Sequence, residues 1–293
     1  MKENILMHIV RNFFLSVMLL SLSNVTLTQN KFVIGTWPVG GLAICIISVL
    51  QHLAHCEATN KTPVVYWGPG FYYYHPNGFN GVRDNVWEYY FEPVSDLRYT
   101  PGDSMSRCCG GGAGCGQFSS INLHNQELRD QAHRLWKKYI RPKSILLDKV
   151  DQFYQANIEG KHTIGVHLRG TDVLPDVVGL KMQRIVDATL AQVRKDSQLF
   201  VTSDDLNLFN QFCSLMQGYK IVYYPCYKSD DGKPLHYRVQ RPSYAQAGED
   251  VIVEMLLMSR CDYLVLMQSN VSAVPLIINN KVPFKFFMHN ELK

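Results

Sequence analysis

The chain has 293 residues, 46% hydrophobic and 18% charged, which supplies apolar material for one large domain or two ordinary ones and excludes general disorder. Its formal charge of +4, from 29 basic against 25 acidic residues, excludes a nucleic-acid coat or a polybasic membrane binder, because both need clustered charge. The body of the chain holds no uncharged apolar stretch long enough to span a bilayer, so a multi-span membrane protein is excluded as well.

Residues 1–30 read as a targeting segment. Lys2 and Arg11 precede the apolar run Phe13–Leu22, which has the length of a signal-peptide core and is short for a spanning helix. The following Ser23-Asn24-Val25-Thr26 lacks a clean small-x-small cleavage site. The segment is therefore expected to be either a secretory signal peptide or an N-terminal anchor, with a buried helix as the plainer reading. Residence in the secretory pathway, or membrane attachment through the N-terminus, follows as the expectation.

After it, Phe32–Trp37 reads as a strand, Gly40 and Gly41 as a turn, Leu42 to about Ala58 as an apolar helix, and Thr62–Tyr66 as the next strand. Strand, glycine turn, helix and strand make a β-α-β unit, which favours a parallel sheet. Residues 66–91 then carry eleven aromatic side chains in 26 positions, broken by Gly and Pro, with neither helical nor strand period. They read as an ordered aromatic loop at the carboxyl edge of that sheet. Flat aromatic faces suit sugar rings, so Tyr72, Tyr73 and Tyr74 are candidates for acceptor binding, with packing at an interface as the competing reading.

Cys108, Cys109 and Cys115 sit together in RCCGGGAGCG. A disulfide is the first reading, free thiols the second, and zinc with His124 as fourth ligand the third, since the spacing matches no Cys-x2-Cys pair. Cys45, Cys213 and Cys261 lie in apolar surroundings and read as small core residues. Helices are expected over Asn125–Ile140 and Lys143–Gln155.

The second half is more regular. Strand His162–Leu168, turn Arg169–Asp172, helix Leu180–Lys195, strand Gln198–Thr202, helix Leu206–Met216 and strand Lys220–Tyr224 follow one another. Past a polar loop come helix Glu249–Ser259, strand Tyr263–Met267, helix Val271–Asn279 and strand Val282–Met288. This rhythm predicts a doubly wound α/β domain with ligands at the carboxyl ends of its strands. The expected organisation is a leader at 1–30, a first α/β domain at 31–150 and a second at 151–293.

Three strand ends carry similar polar residues: His167, Arg169 and Asp172; Asp204 and Asp205; Ser269, Asn270 and Ser272. A parallel sheet brings all three to one edge although about 35 and 65 residues separate them. Arg169 offers a bidentate guanidinium to phosphate oxygens, and the serines open a helix whose N-terminus suits anions. Simple capping explains the serines and aspartates equally well, and an ion pair with Asp172 or Asp204 is the alternative for Arg169.

The string Ile164-Gly-Val-His167-Leu-Arg169-Gly-Thr-Asp172 resembles the His-x-Arg-x-x-Asp motif of the fucosyltransferase superfamily, which covers α1,6-, nodulation and protein O-fucosyltransferases. Later elements are similar in order: Phe200–Asp205, the acidic helix with Glu254 running into Asp262-Tyr-Leu-Val, and Gln268-Ser269-Asn270. The early Gly40-Gly41 turn resembles the glycine loop that opens these enzymes. The resemblance implies two Rossmann-like domains facing across a cleft, of GT-B type, and metal-independent transfer of fucose from GDP-fucose to a glycan or protein hydroxyl, with inversion.

By the same resemblance Arg169 holds the β-phosphate, His167 and Glu254 contact the guanine and its surroundings, and Gly40, Gly41, Asp204, Asp205, Ser269, Asn270 and Ser272 shape the nucleotide-sugar site. Departing diphosphate develops negative charge, which a fixed guanidinium and a helix N-terminus stabilise without a cofactor. The acceptor hydroxyl needs a base, for which Asp172 and Asp176 are the nearest carboxylates. The chain departs from the pattern at several points: Gly170 replaces a second arginine, Glu254 an aspartate and Asn270 a serine, the glycine loop lacks the Asn-Gln that follows it in several relatives, and the family's glutamate base a few residues past the motif has no clean counterpart. A non-catalytic nucleotide-sugar or glycan-binding module on the same fold is the alternative reading.

Overall fold

Two parallel sheets organise the described residues. The computed structural model describes residues 30–36, 40–107, 116–171, 182–234 and 243–292. The first sheet comprises β1 (Lys31–Ile34), β2 (Thr62–Val65) and β3 (Met105–Ser106) in the order β2-β1-β3. Helix α1 (Leu42–Ala58) makes the crossover between β1 and β2, as the β-α-β reading expects. Only β3 has no sequence forerunner: two residues paired with Val33 and Ile34 are too short to show any period.

The second sheet contains β4 (Thr163–Leu168), β5 (Gln198–Ser203), β6 (Lys220–Val222), β7 (Tyr263–Met267) and β8 (Phe284–Phe287), all parallel, in the order β6-β5-β4-β7-β8. This is a doubly wound order that reverses between β4 and β7. Helices α5 (Met182–Leu190) and α6 (Leu206–Leu215) cover one face, and α7 (Tyr244–Met258) and α8 (Asn270–Ile278) cover the other. Alternation along each strand sorts the core accordingly. Ile164, Val166, Leu199, Val201, Val265 and Met267 face α5 and α6, while Phe200, Leu264, Leu266 and Phe286 face α7 and α8. Helix α5 stops at Leu190, short of the expected Lys195, where turns and a polar run lead into β5.

Between the sheets lies a shared helical layer. Helices α3 (Gln126–Tyr139) and α4 (Ser144–Asn157) pack with α1, α7 and α8, and one buried cluster runs from Ile34 and α1 to the inner face of the second sheet. Helix α1 is apolar nearly all round, from Leu42 through Ile46, Ile47 and Leu50 to Cys56, because it is enclosed on more than one side. Glu57 at its end binds Arg134 at 2.7 Å, Lys138 at 2.8 Å and the Tyr139 hydroxyl at 3.2 Å, clamping α1 to α3.

The aromatic segment is packing for the most part. Trp67, Phe71, Trp87, Tyr89, Tyr90 and Phe91 are buried; Trp87–Tyr90 form a one-turn helix, α2. The Tyr90 hydroxyl donates to Ala245 O of α7 at 2.9 Å, and Asn80 donates to Glu249 of α7 at 3.0 Å. Glu249, wholly buried, also takes Lys149 of α4 as its ionic partner. Gly248 permits this approach, since a Cβ there would stand 2.4 Å from the Tyr90 hydroxyl and 2.9 Å from the Tyr73 ring.

Cys45 and Cys261 are buried as core residues, and Cys213 is half-buried. The cysteines of the glycine-rich loop, Cys108, Cys109 and Cys115, lie outside the described residues, as do residues 1–29 of the expected targeting segment. Among the described residues no helix is long and apolar enough to cross a membrane.

Candidate functional site

A cavity of about 280 Å³ lies where the first turn of α1 faces the carboxyl ends of β4, β5 and β7. Gly41 to Ile44 form one wall, and His167, Arg169, Thr171, Ser203 and Asp204 the opposite one. Ser269, Asn270 and Val271 close an end, and α7 supplies Tyr244, Ala247, Asp250, Val251 and Glu254 along a side. The position, beside the point where strand order reverses, follows from topology alone.

The turn after β4 is tied to the end of β5 through Asp204. Its carboxylate accepts from Arg169 Nη1 at 2.5 Å, from Gly170 N at 2.9 Å and from the Thr171 hydroxyl. The ion pair that the sequence offered as an alternative for Arg169 is therefore present, and it fixes the guanidinium on the cavity wall, where the side chain remains 21% exposed. Gly170 is held by geometry: a Cβ would fall 2.3 Å from Asp205 Cβ. Any larger side chain there would meet the start of α6 at the same contact.

His167 is 4% exposed, with Nδ1 bonded to Thr202 Oγ1 at 3.0 Å and Nε2 buried with no partner among the described residues. Burial lowers its pKa to about 4, against the pull of Asp204 and assisted by Arg169, so the ring is neutral at ordinary pH. Glu254 on α7 is pushed up to about 7 by burial, opposed by Lys228 and by the hydrogen bond from Cys226. The Cys226 thiol donates to Glu254 Oε1 at 3.1 Å.

Two helix N-termini meet the cavity. Helix α1 starts at Gly41 without a side-chain cap, and its Leu42 N–H donates to the Tyr73 hydroxyl at 3.3 Å. Helix α8 starts at Ser269, whose hydroxyl accepts from Val271 N at 3.1 Å. Each presents the positive end of a backbone dipole, and Arg169 adds a full charge beside them. The arrangement suits a ligand with anionic groups at one end and a polar heterocycle at the other.

Of the residues singled out from sequence, Gly41, Tyr73, His167, Arg169, Asp204, Glu254, Ser269 and Asn270 come together here. Others do not. Asp205 caps α6, accepting from Leu208 N at 2.9 Å, and the buried Ser272 hydroxyl donates to Met267 O at 2.6 Å. For these two, the capping and backbone roles account for the residue type, and neither lines the cavity. Gly40 stands just before the wall, and Tyr72 and Tyr74 pack half-buried against the core. Asp172 and Asp176 lie outside the described residues.

Sequence reasoning passed over Asp250, Tyr244, Cys226 and Tyr227, all on the cavity. A signal existed for the first: Ala247, Asp250, Val251 and Glu254 follow helical spacing and share one face of α7. The two loop residues after β6 carry no such pattern. Among the described residues no three His, Cys, Asp or Glu side chains gather as a metal-binding group.

The fold and site define an α/β protein built on two parallel sheets, with its cavity at their carboxyl edges. No family model and no curated protein matches the sequence. Solved structures do match in fold. The NodZ α1,6-fucosyltransferase co-crystallised with GDP is 16% identical, with 88% of this chain and 95% of that one covered and a TM-score of 0.56. The fucosyltransferase NodZ from Bradyrhizobium is 16% identical over 85% of this chain and 93% of its own, at a TM-score of 0.55. A mutant of Arabidopsis thaliana FUT1 in complex with GDP is 12% identical over 91% and 73%, at 0.54. The chain therefore has a fucosyltransferase-like, GT-B-type α/β fold.

Proposed function

We propose that the protein is a metal-independent glycosyltransferase that takes GDP-fucose as donor and transfers the sugar, with inversion, to a glycan or protein hydroxyl. One observation carries the reading: Arg169 and two helix N-termini, from different sheets, converge on one cavity whose other groups include the buried His167 Nε2, which has no partner among the described residues, and the carboxyl group of Glu254. The cationic side suits a diphosphate, and charge developing on the departing diphosphate gains most from donors already in place. The polar groups of β4 and α7 suit the base. Solved proteins of this fold include fucosyltransferases in complex with GDP, which supports the choice of nucleotide.

Within this reading, residues 31–150 form the acceptor-side unit, with Tyr72, Tyr73 and Tyr74 toward the acceptor, and 151–293 the donor-side unit. The general base is a carboxylate at or beyond the turn after β4, Asp172 or Asp176. Residues 1–30 direct the chain into the secretory pathway or anchor it to a membrane.

The Arg169–Asp204 pair favours one second reading, a module that binds nucleotide sugar without catalysis, because the guanidinium already has a counter-ion. Incubation with GDP-fucose and a panel of glycan and peptide acceptors, with and without EDTA, separates the two. Product formation that survives EDTA is the expected result. Activity that needs added Mn²⁺ or Mg²⁺ would refute metal independence, and GDP-fucose binding with no product would favour the binding module.

A further inference from the structure

Lys228 is 9% exposed, and an ammonium so enclosed needs compensation. Among the described residues no carboxylate lies within ion-pairing distance of it, and its hydrogen-bond partner is Cys226 Sγ at 3.4 Å. The rest of its surroundings are ring faces, Phe209 at 5.1 Å and Tyr223 at 5.8 Å from the charge. Cys226 in turn is 3.1 Å from Glu254 Oε1, and both Cys226 and Glu254 line the cavity. Three residues thus form a line from a buried cation to a buried carboxylate.

The direction of this line is forced by donor inventory. A lysine ammonium has only donors, so the sulfur must accept from it. The thiol hydrogen is then free to point only the other way, toward Glu254, whose oxygen must accept. A carboxyl oxygen accepts in either protonation state, so it is the nearby Lys228 charge that favours the ionised, acceptor-only form of Glu254 on the cavity. Cys226 is the hydrogen-bond partner of Glu254 among the described residues, so the carboxylate's remaining lone pairs have no other occupant there.

We propose that Lys228, acting through the Cys226 thiol, is a specificity-determining positioning residue that keeps Glu254 an acceptor-only carboxylate and so selects a nucleobase with two adjacent N–H donors on its edge. Guanine has such an edge, in its ring N–H and exocyclic amino group. Hypoxanthine lacks the amino group, and adenine places an acceptor where guanine has its ring N–H. The inference rests on the reading of the cavity as a nucleotide site, and it identifies what chooses the base there.

Removing the cation leaves a carboxyl that burial already raises to about 7, with one fewer group opposing the rise. Near neutral pH it then gains a proton and becomes a donor. Among the described residues the other charged or titratable groups facing it are Asp250 on its own helix and Asp204 at the end of β5, which push in the same direction, and Tyr224 just after β6. His167 stays neutral above about pH 4, and burial holds the Cys226 thiol far above its ordinary range.

The test is binding of GDP, IDP and ADP, by calorimetry, to the full chain and to Lys228→Met, Cys226→Ser and Cys226→Ala, at pH 7.5 and 9. The unaltered protein is expected to prefer GDP over ADP by well over tenfold. Lys228→Met should lose at least tenfold of that preference at pH 7.5 and regain most of it at pH 9, where Glu254 ionises unaided. Cys226→Ser keeps a relaying hydroxyl and should keep the preference, whereas Cys226→Ala should lose part of it. A GDP/ADP ratio within twofold of the unaltered protein's in both Lys228→Met and Cys226→Ala overturns the proposal, as does a loss that raising the pH leaves unchanged. Should Lys228→Met fail to fold, the Cys226 pair decides on the same criteria. Absence of GDP binding by the unaltered protein refutes the nucleotide reading itself, which is a separate outcome.

Discussion

Replacing Gly170 by arginine restores the residue that the resembled α1,6 enzymes carry, and motif logic alone would expect a second cation to tighten nucleotide binding. The structure predicts the reverse. A Cβ on Gly170 would stand 2.3 Å from Asp205 Cβ, 2.8 Å from its Cγ and 2.9 Å from Oδ2. The nearest of these atoms is attached directly to the backbone, so no rotation of Asp205 relieves the overlap. The turn and the start of α6 must separate instead. Overpacking of this kind costs about 1–3 kcal/mol. Displacing Asp205 also strains its cap on Leu208 N, and losing a cap costs about 1 kcal/mol. Together these give roughly 2–4 kcal/mol, and a few degrees per kcal/mol gives a fall in Tm on the order of 5–15 °C. Gly170→Ala carries the same Cβ without the charge, and it should fall by a similar amount. Thermal unfolding of both variants, followed by GDP titration of the folded material, makes the measurement. Both variants should bind GDP more weakly, because the same separation moves Arg169 and Asp204. A Gly170→Arg protein that melts within about 1 °C of the parent and binds GDP more tightly would refute the reasoning.

Arg169→Ala should weaken GDP binding by about ten- to a hundredfold, the equivalent of a charge-assisted contact worth roughly 1.5–3 kcal/mol; unchanged affinity in a folded variant would assign the arginine to the Asp204 pair alone. The Glu57 clamp sets a pH dependence, because Arg134, Lys138 and Tyr139 hold its pKa down at about 2. A depressed carboxylate contributes stability that is fully present above its unfolded pKa and lost as pH falls through the folded one. Stability measured from pH 5 to pH 2 should therefore fall more steeply in the parent than in Glu57→Gln, and parallel curves would contradict the assignment. Gly248→Ala should lower Tm by several degrees by forcing Tyr90 and Tyr73 away from α7, which circular dichroism melting checks. Alanine at Tyr72 or Tyr74 should raise the acceptor KM for at least one of them with GDP affinity intact, whereas Tyr73→Ala, on the cavity itself, should weaken GDP binding as well; loss of Tm at Tyr72 and Tyr74 with unchanged kinetics would make both packing residues.

The class of fold and the sheet edge where the candidate cavity lies were legible in the sequence because both rest on local, repeating signals. Buried strands alternating with helices imply parallel sheets, parallel sheets put every strand's carboxyl end on one edge, and the polar residues after β4, β5 and β7 were therefore bound to meet. That much follows from chain order and chirality without any side-chain contact. Deciding between roles needed three dimensions. Asp204 and Asp205 are adjacent and chemically alike, yet one anchors the Arg169 turn on the cavity and the other caps α6 away from it, a difference set by backbone direction at the end of β5. The aromatic segment shows why composition stops short: a tyrosine that packs and a tyrosine that lines the cavity look the same until α7 is laid across them. Cys226 and Lys228 lie in a loop with no period, and their meaning arises only because the loop after β6 folds back beneath Glu254 of a helix about 28 residues further on. Local patterns are written in neighbouring residues; a buried charge and its counter-charge are brought together by the packing of distant ones, and only the tertiary structure decides that.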